Sequence, residues 1–231
     1  MHHPTRALIV ADGAVPERAL LDAAWPGWAD DVDLVVAADG GAVAAERLGL
    51  RPDLLVGDGD SLSEAGLVRI HAAGIPVELS PIAKDETDTE LAILAAVRRG
   101  AARVTILCAL GGPRVDHALA NVLLLAHPAL AGVPAELLDP AARVSLIRAP
   151  DAAGAPVHRP LPGPLDALVS LIPLGDVASV TTAGLAYPLR DEGLDAGPAR
   201  GVSNVRSSAD AAVTVGRGLL LVVEAPATLR P

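Results

Sequence analysis

The chain of 231 residues contains no Phe, one Tyr and two Trp. Ala, Val and Leu must therefore fill its core, and a heterocyclic ligand finds few rings to stack on. Cysteine is equally scarce. Cys108 stands alone, so no intrachain disulfide can form, which suits a reducing cytosol. It lies in an apolar run, 104–110, and reads as a small buried hydrophobe rather than a nucleophile. Basic residues are outnumbered: 18 Lys and Arg face 28 Asp and Glu, for a formal net charge of -10. Such a chain has no electrostatic footprint for DNA or RNA, and a nucleic-acid role is disfavoured. Long apolar runs are missing too. The uncharged stretch 118–133 is shorter than the roughly 20 residues that span a bilayer. It also contains His127 and Pro128, so it reads as a buried helix and its turn. Residues 7–11 are too short for a signal sequence and meet Asp12 at once. The expectation is a cytoplasmic protein with no membrane partner. No Walker sequence Gly-x-x-x-x-Gly-Lys-Ser/Thr occurs, which excludes a P-loop enzyme.

What is present is a hydrophobic fraction of 51% and a mean hydropathy of +0.42, enough for a packed core and against disorder. Residues 1–139 alternate apolar runs with helical patterns. The runs 6–11, 34–38, 54–56 and 104–110 each end in Gly or Asp, and helical patterns at 42–48, 64–73 and 89–99 lie between them. That alternation predicts an α/β unit with a mostly parallel, Rossmann-like sheet, whose carboxyl edge is where ligands bind. Residues 140–231 change character, with short segments and frequent turn residues. They predict a small all-β sandwich domain. Runs at 168–173, 179–183 and 211–215 read as strands, and Gly216-Arg217-Gly218 reads as a hairpin turn to a further strand at 219–224. The Pro- and Gly-rich stretch 150–164 is either a flexible linker or a rigid loop.

Four segments carry chemistry. Gly57-Asp58-Gly59-Asp60-Ser61 follows the third run; two carboxylates spaced i, i+2 on extended backbone point the same way and suit Mg²⁺, while a solvated turn is the equal alternative. Lys84-Asp85-Glu86-Thr87-Asp88 opens a helix. Thr87 with Glu90 forms a capping box, the helix N-terminus attracts phosphate oxygens, and four nearby aspartates demand a cation among them. In Gly111-Gly112-Pro113-Arg114-Val115-Asp116-His117, Arg114 offers a fork of donors for a phosphate. Asp116 holds a metal-ligand water, the substrate or Arg114, and His117 is either an acid–base group or a structural histidine. Asp39-Gly40-Gly41 by itself is the weakest of the four, with a plain strand-to-helix turn as its alternative.

In this order, the four segments resemble the thiamine pyrophosphokinase family, as do Pro52-Asp53, Asn121, Gly184-Leu185-Ala186-Tyr187-Pro188-Leu189 and Gly201-Val202-Ser203-Asn204. The resemblance runs over nearly the whole chain. It implies a nucleotide domain, a thiamine-contacting β-sandwich, and a homodimer with active sites between subunits. It implies transfer of diphosphate from ATP to thiamine, with Mg²⁺ as cofactor. By the same resemblance Asp58, Asp60 and Asp88 hold Mg²⁺ and the ATP phosphates, Asp85, Arg114 and Asp116 line the same cleft, and Asp39, Gly40, Lys84, Thr87 and His117 face the nucleotide. Ser203 and Asn204 approach the thiamine ring. Three features depart from the family pattern: Gly59 stands where a bulky residue is usual, Pro113 is inserted, and Val205 replaces an acid. The alternatives are a pyrophosphokinase for another heterocyclic alcohol, such as a hydroxymethylpterin, and a non-catalytic nucleotide-binding protein on the same fold.

Overall fold

The computed structural model describes residues 5–59, 64–81 and 83–229, with the backbone alone described at 64, 65 and 67. The chain divides into two compact units, Met1–Pro140 and Ala141–Pro231.

The first unit runs β1 (Thr5–Val10), α1 (Arg18–Ala24), β2 (Leu34–Ala38), α2 (Gly41–Arg47), β3 (Leu54–Gly57), α3 (Glu64–Ala72), β4 (Val77–Leu79), α4 (Asp88–Arg98), β5 (Ala101–Leu107), α5 (Val115–Leu124) and β6 (Ala135–Asp139). Every strand pairing in it is parallel, in the order β6-β5-β1-β2-β3-β4. The chain therefore moves outward from β1 to β4, then returns to lay β5 on the other side of β1. That reversal opens a crevice at the carboxyl ends of β1 and β5. Ala7 through Val10 are wholly buried, as a strand covered on both faces must be. On one face Leu21 of α1 and Ala44 and Ala45 of α2 pack with Leu8, Val10, Leu107 and Trp28. Elsewhere Ile70 of α3 packs on Ala37 and Leu55. Helix α4 buries Ile93 together with Ala92, Ala95 and Ala96, and the three alanines are small residues that let it lie close to the sheet in a chain without Phe.

The stretch 118–133 departs from its reading as a buried helix. Within α5 only Asn121 is buried, while Val115, Leu119 and Leu123 are all more than half exposed. Their spacing of four puts them on one face of the helix.

The second unit is antiparallel throughout: β7 (Ala142–Ala149), β8 (Val157–Pro160), β9 (Leu168–Pro173), β10 (Val177–Ala183), β11 (Glu192–Leu194), β12 (Asn204–Val205) and β13 (Ala212–Glu224). The expected hairpin at 216–218 is absent. β13 is one strand of 13 residues running through all three positions. Its first half pairs with β8 and β10, its second with β7 and β9. It thus belongs to both sheets of the sandwich, the way corner strands do. The glycines serve close approach rather than a turn. A Cβ on Gly216 would lie 2.7 Å from Ser179 Cβ, and one on Gly218 2.7 Å from the Asp176 carbonyl oxygen. Between the sheets lie Ile147, Val169, Leu171, Val180, Val213, Val215, Leu220 and Val222. The stretch 150–164 is no linker: it contains β8, and Asp151 Oδ1 accepts from the amides of Ala153 and Ala155, both at 2.9 Å.

One buried polar contact ties this unit together. The Arg206 guanidinium pairs with Glu224 and donates from Nε to the Leu161 carbonyl at 3.0 Å. Both side chains are almost fully buried. Burial lowers the Arg206 pKa, against the pull of Glu224.

Candidate active site

The sheet brings four of the sequence segments to one edge. The loops after β1, β2 and β5 meet the N-terminus of α4 around a cleft of 580 Å³. Asp39, at the end of β2, is buried with a left-handed φ of 45°. Its amide donates to the Val56 carbonyl at 2.8 Å, and its Oδ1 accepts from the Gly59 amide at 3.1 Å. Gly57 makes room for this arrangement. A Cβ there would lie 2.9 Å from Asp39 Cβ and 3.2 Å from Asp88 Oδ1.

Asp39, Asp58 and Asp88 each offer one carboxylate oxygen, all within 4.8 Å of one another. Among the described residues this is the one group of three acids or other ligands so placed. Like charges this close repel unless a cation stands among them. Lys84 partly fills that role. Its ammonium pairs with Asp88, donates to Asp58 Oδ2 at 3.3 Å and to Ser80 Oγ at 3.0 Å. Burial alone would lower the Lys84 pKa, but the Asp88 and Asp58 carboxylates outweigh it and raise it. Hard oxygen donors at a strand edge, already holding an ammonium, fit Mg²⁺, which takes one or two carboxylates and completes its shell with water and phosphate.

Asp85, Glu86 and Thr87 also line the cleft. Thr87 caps α4, its Oγ1 accepting from the Glu90 amide at 3.2 Å. The Glu90 carboxylate lies 3.4 Å from His127 Nε2. Arg114 and His117 line the cleft from the other side. Arg114 holds Asp116 through two bonds of 2.9 and 2.7 Å, in full solvent, and keeps that carboxyl well below the usual range. Asp116 is not among the cleft-lining residues. Asn121 donates to the Ala109 carbonyl at 2.9 Å and so steadies the loop after β5. Cys108, in that loop, is buried, and burial with the nearby Asp139 and Asp12 charges pushes its thiol up to about 12, as befits an inert residue.

Asp60 lies outside the described residues. Asp39 takes a larger part than a plain strand-to-helix turn, because β2 and β3 are neighbours and their ends converge. Asp12, after β1, belongs to the cleft although nothing in the four segments includes it; its one signal is an Asp-Gly pair closing an apolar run. Burial, then the charges of Asp39 and Asp88, hold its carboxyl above the ordinary range.

In the second unit Ser203 is exposed, with φ 60°, and its amide donates to Ser170 Oγ at 3.0 Å. Asn204 is buried and largely committed. Its Oδ1 accepts from the amides of Tyr187 and Val205 at 3.0 and 2.9 Å, and its Nδ2 donates to the Tyr187 carbonyl at 2.7 Å. It clamps the segment that presents Tyr187, whose ring is exposed.

Two family models match in order: thiamin pyrophosphokinase, catalytic domain, over residues 27–136, and thiamin pyrophosphokinase, vitamin B1 binding domain, over residues 160–220. The chain belongs to the thiamine pyrophosphokinase family. It is 26% identical over 205 residues to the thiamine pyrophosphokinase of Bacillus subtilis, covering 85% of this chain and 89% of the relative. A solved thiamin pyrophosphokinase family protein from Enterococcus faecalis is similar, with a TM-score of 0.77 and 27% identity over 96% of this chain and 99% of that one. Another from Geobacillus thermodenitrificans, a thiamin pyrophosphokinase, gives 0.76 and 26% over 96% and 97%. The first family model spans the acidic triad and Lys84 through Asn121, while Asp12 lies before it.

Proposed function

We propose that this chain is a thiamine pyrophosphokinase, transferring diphosphate from ATP to thiamine to give thiamine diphosphate and AMP. The observation that carries the proposal is the triad Asp39, Asp58 and Asp88 around the Lys84 ammonium, inside a chain of this family. Asp39, Asp58 and Asp88 would hold Mg²⁺, and Asp60 joins them on the sequence pattern alone. When bound, the ion neutralises phosphate charge as it grows in the transition state.

The chain's own residues then have separable tasks. The capped N-terminus of α4 and the Arg114 N–H groups that Asp116 does not take orient phosphate oxygens. The thiamine hydroxyl oxygen bonds to the β-phosphorus; the bond from that phosphorus to the oxygen bridging it to the α-phosphorus breaks, and AMP leaves with that oxygen. Asp85, which faces the cleft, accepts the hydroxyl proton. Asp116 is a poor base while Arg114 holds it ionised. Alignment is the larger contribution, because phosphoryl transfer leaves little covalent work to side chains.

In the second unit the surface at Tyr187 and Ser203 takes the thiamine ring, with Asn204 positioning Tyr187 from behind. The enzyme is cytoplasmic and homodimeric, with active sites between subunits. The exposed apolar face of Val115, Leu119 and Leu123 on α5 supports a protein partner there, the second copy. Among the described residues no helix is long and apolar enough to cross a membrane.

The test is product analysis of the purified protein with ATP, Mg²⁺ and thiamine. AMP and thiamine diphosphate in equal amounts are expected. ADP with thiamine monophosphate, or no thiamine-dependent AMP, would overturn the proposal.

A further inference from the structure

Asp12 has no part in the mechanism above, and its setting is unusual. It follows β1 at the reversal of sheet order and lines the cleft together with Asp39 and Asp88. Its carboxylate fills the space a side chain at residue 40 would need: a Cβ on Gly40 would collide with Asp12 Oδ2 and lie 2.5 Å from Cγ and Oδ1. Gly40 has φ -54° and ψ -15°, right-handed values open to any residue. A side chain there would contest the space of the Asp12 carboxylate, whatever the backbone conformation. The Asp12 carboxylate is thus seated on the residue next to Asp39.

Asp12 lies outside the tight triad, yet Asp39 and Asp88 act on its charge. A carboxylate beside Asp39 and Asp88 adds a repulsion that an arriving cation relieves. Mg²⁺ keeps several of its waters, and those waters need acceptors beyond the coordinating oxygens. We infer that Asp12 is an outer acceptor for the divalent cation seated on Asp39, Asp58 and Asp88, taking a hydrogen bond from a cation-bound water, and that Gly40 is glycine to leave it room. The inference rests on the metal site proposed above.

The experiment is a titration with Mn²⁺ alone, following the free ion by electron paramagnetic resonance, on the full chain without nucleotide. Asp12→Asn keeps the shape and removes the charge; it should weaken Mn²⁺ binding about tenfold, the size of loss typical of outer partners. Gly40→Ala keeps the charge but displaces it, and should weaken binding by a similar factor. The double variant should be no weaker than the weaker single. Glu86→Gln, which removes a charge from another wall of the same cleft, should bind as the parent does. Parental affinity in Asp12→Asn would overturn the inference, and so would an equal loss in Glu86→Gln, which would make the effect one of general charge. Asp58→Asn separates the two levels. Parental Mn²⁺ binding in Asp58→Asn would sink the metal site itself; lost binding there with parental binding in Asp12→Asn would sink the role of Asp12 alone.

Discussion

Replacing Lys84 by Met tests whether its ammonium stands in for a cation. Lys84 pairs with Asp88, donates to Asp58 at 3.3 Å and to Ser80 at 3.0 Å, with side chains of Lys84 and Asp58 only 11% and 9% exposed and Asp88 29% exposed. An exposed ion pair contributes about 0–1 kcal/mol and breaking a buried one costs about 3–5 kcal/mol. This partly open cluster falls between, at about 2 kcal/mol. For a chain of this length, about 2 kcal/mol lowers Tm by roughly 4–8 °C. Saturating Mg²⁺ should close most of that gap, because an ion on the triad makes the ammonium redundant. Linkage then requires Mg²⁺ to bind Lys84→Met more tightly, by about 30-fold for about 2 kcal/mol. The assay is thermal unfolding of both proteins across a Mg²⁺ series. A Tm gap that persists unchanged at saturating Mg²⁺ would refute the reasoning, as would no gap at all without it.

Asp58→Asn and Asp88→Asn should each lower AMP formation by at least about a hundredfold while circular dichroism stays parental, since the loss is electrostatic and the side chains keep their shape. Near-normal turnover in both would remove the metal assignment. Glu224→Ala strands the Arg206 guanidinium in the second unit's core and should cost about 3–5 kcal/mol by denaturant unfolding; a loss below about 1 kcal/mol would mean the pair is solvated. Leu119→Asp, on the exposed face of α5, should turn a dimer into a monomer by light scattering, and a dimer that survives it would place the interface elsewhere.

The local steps of this protein were readable in its residues. Strand-length apolar runs closing in Gly and Asp marked β1, β2 and β3, and Thr87 with a following acid marked the start of α4. These signals depend on period and turn chemistry within a few residues, which is all a linear reading can see. β4, β11 and β12, of three, three and two residues, are too short to show a period, whereas α1, β6, β7 and β8 went unread at lengths no shorter than the four residues of β3. Gly216 and Gly218 misled because a strand glycine set against another strand looks, in sequence, like one in a turn. The helix at α5 misled in another way: an apolar stretch does not say which of its residues the chain itself buries, and Val115, Leu119 and Leu123 stay exposed.

The residue types that suit Mg²⁺ and phosphate, and the loops that carry them, were legible in the sequence by itself. Only the tertiary structure decided which carboxylates meet. Asp12, Asp39, Asp58 and Asp88 are distant in the chain, and they converge because the sheet sets β1 beside β2 and β2 beside β3. That order is a long-range choice of strand neighbours, made by burial of β1 on both faces and by the return of β5 to its far side. No local pattern encodes it, which is why Asp39 was placed toward the nucleotide rather than among the metal-binding carboxylates and Asp12 went unassigned until the strands were in place.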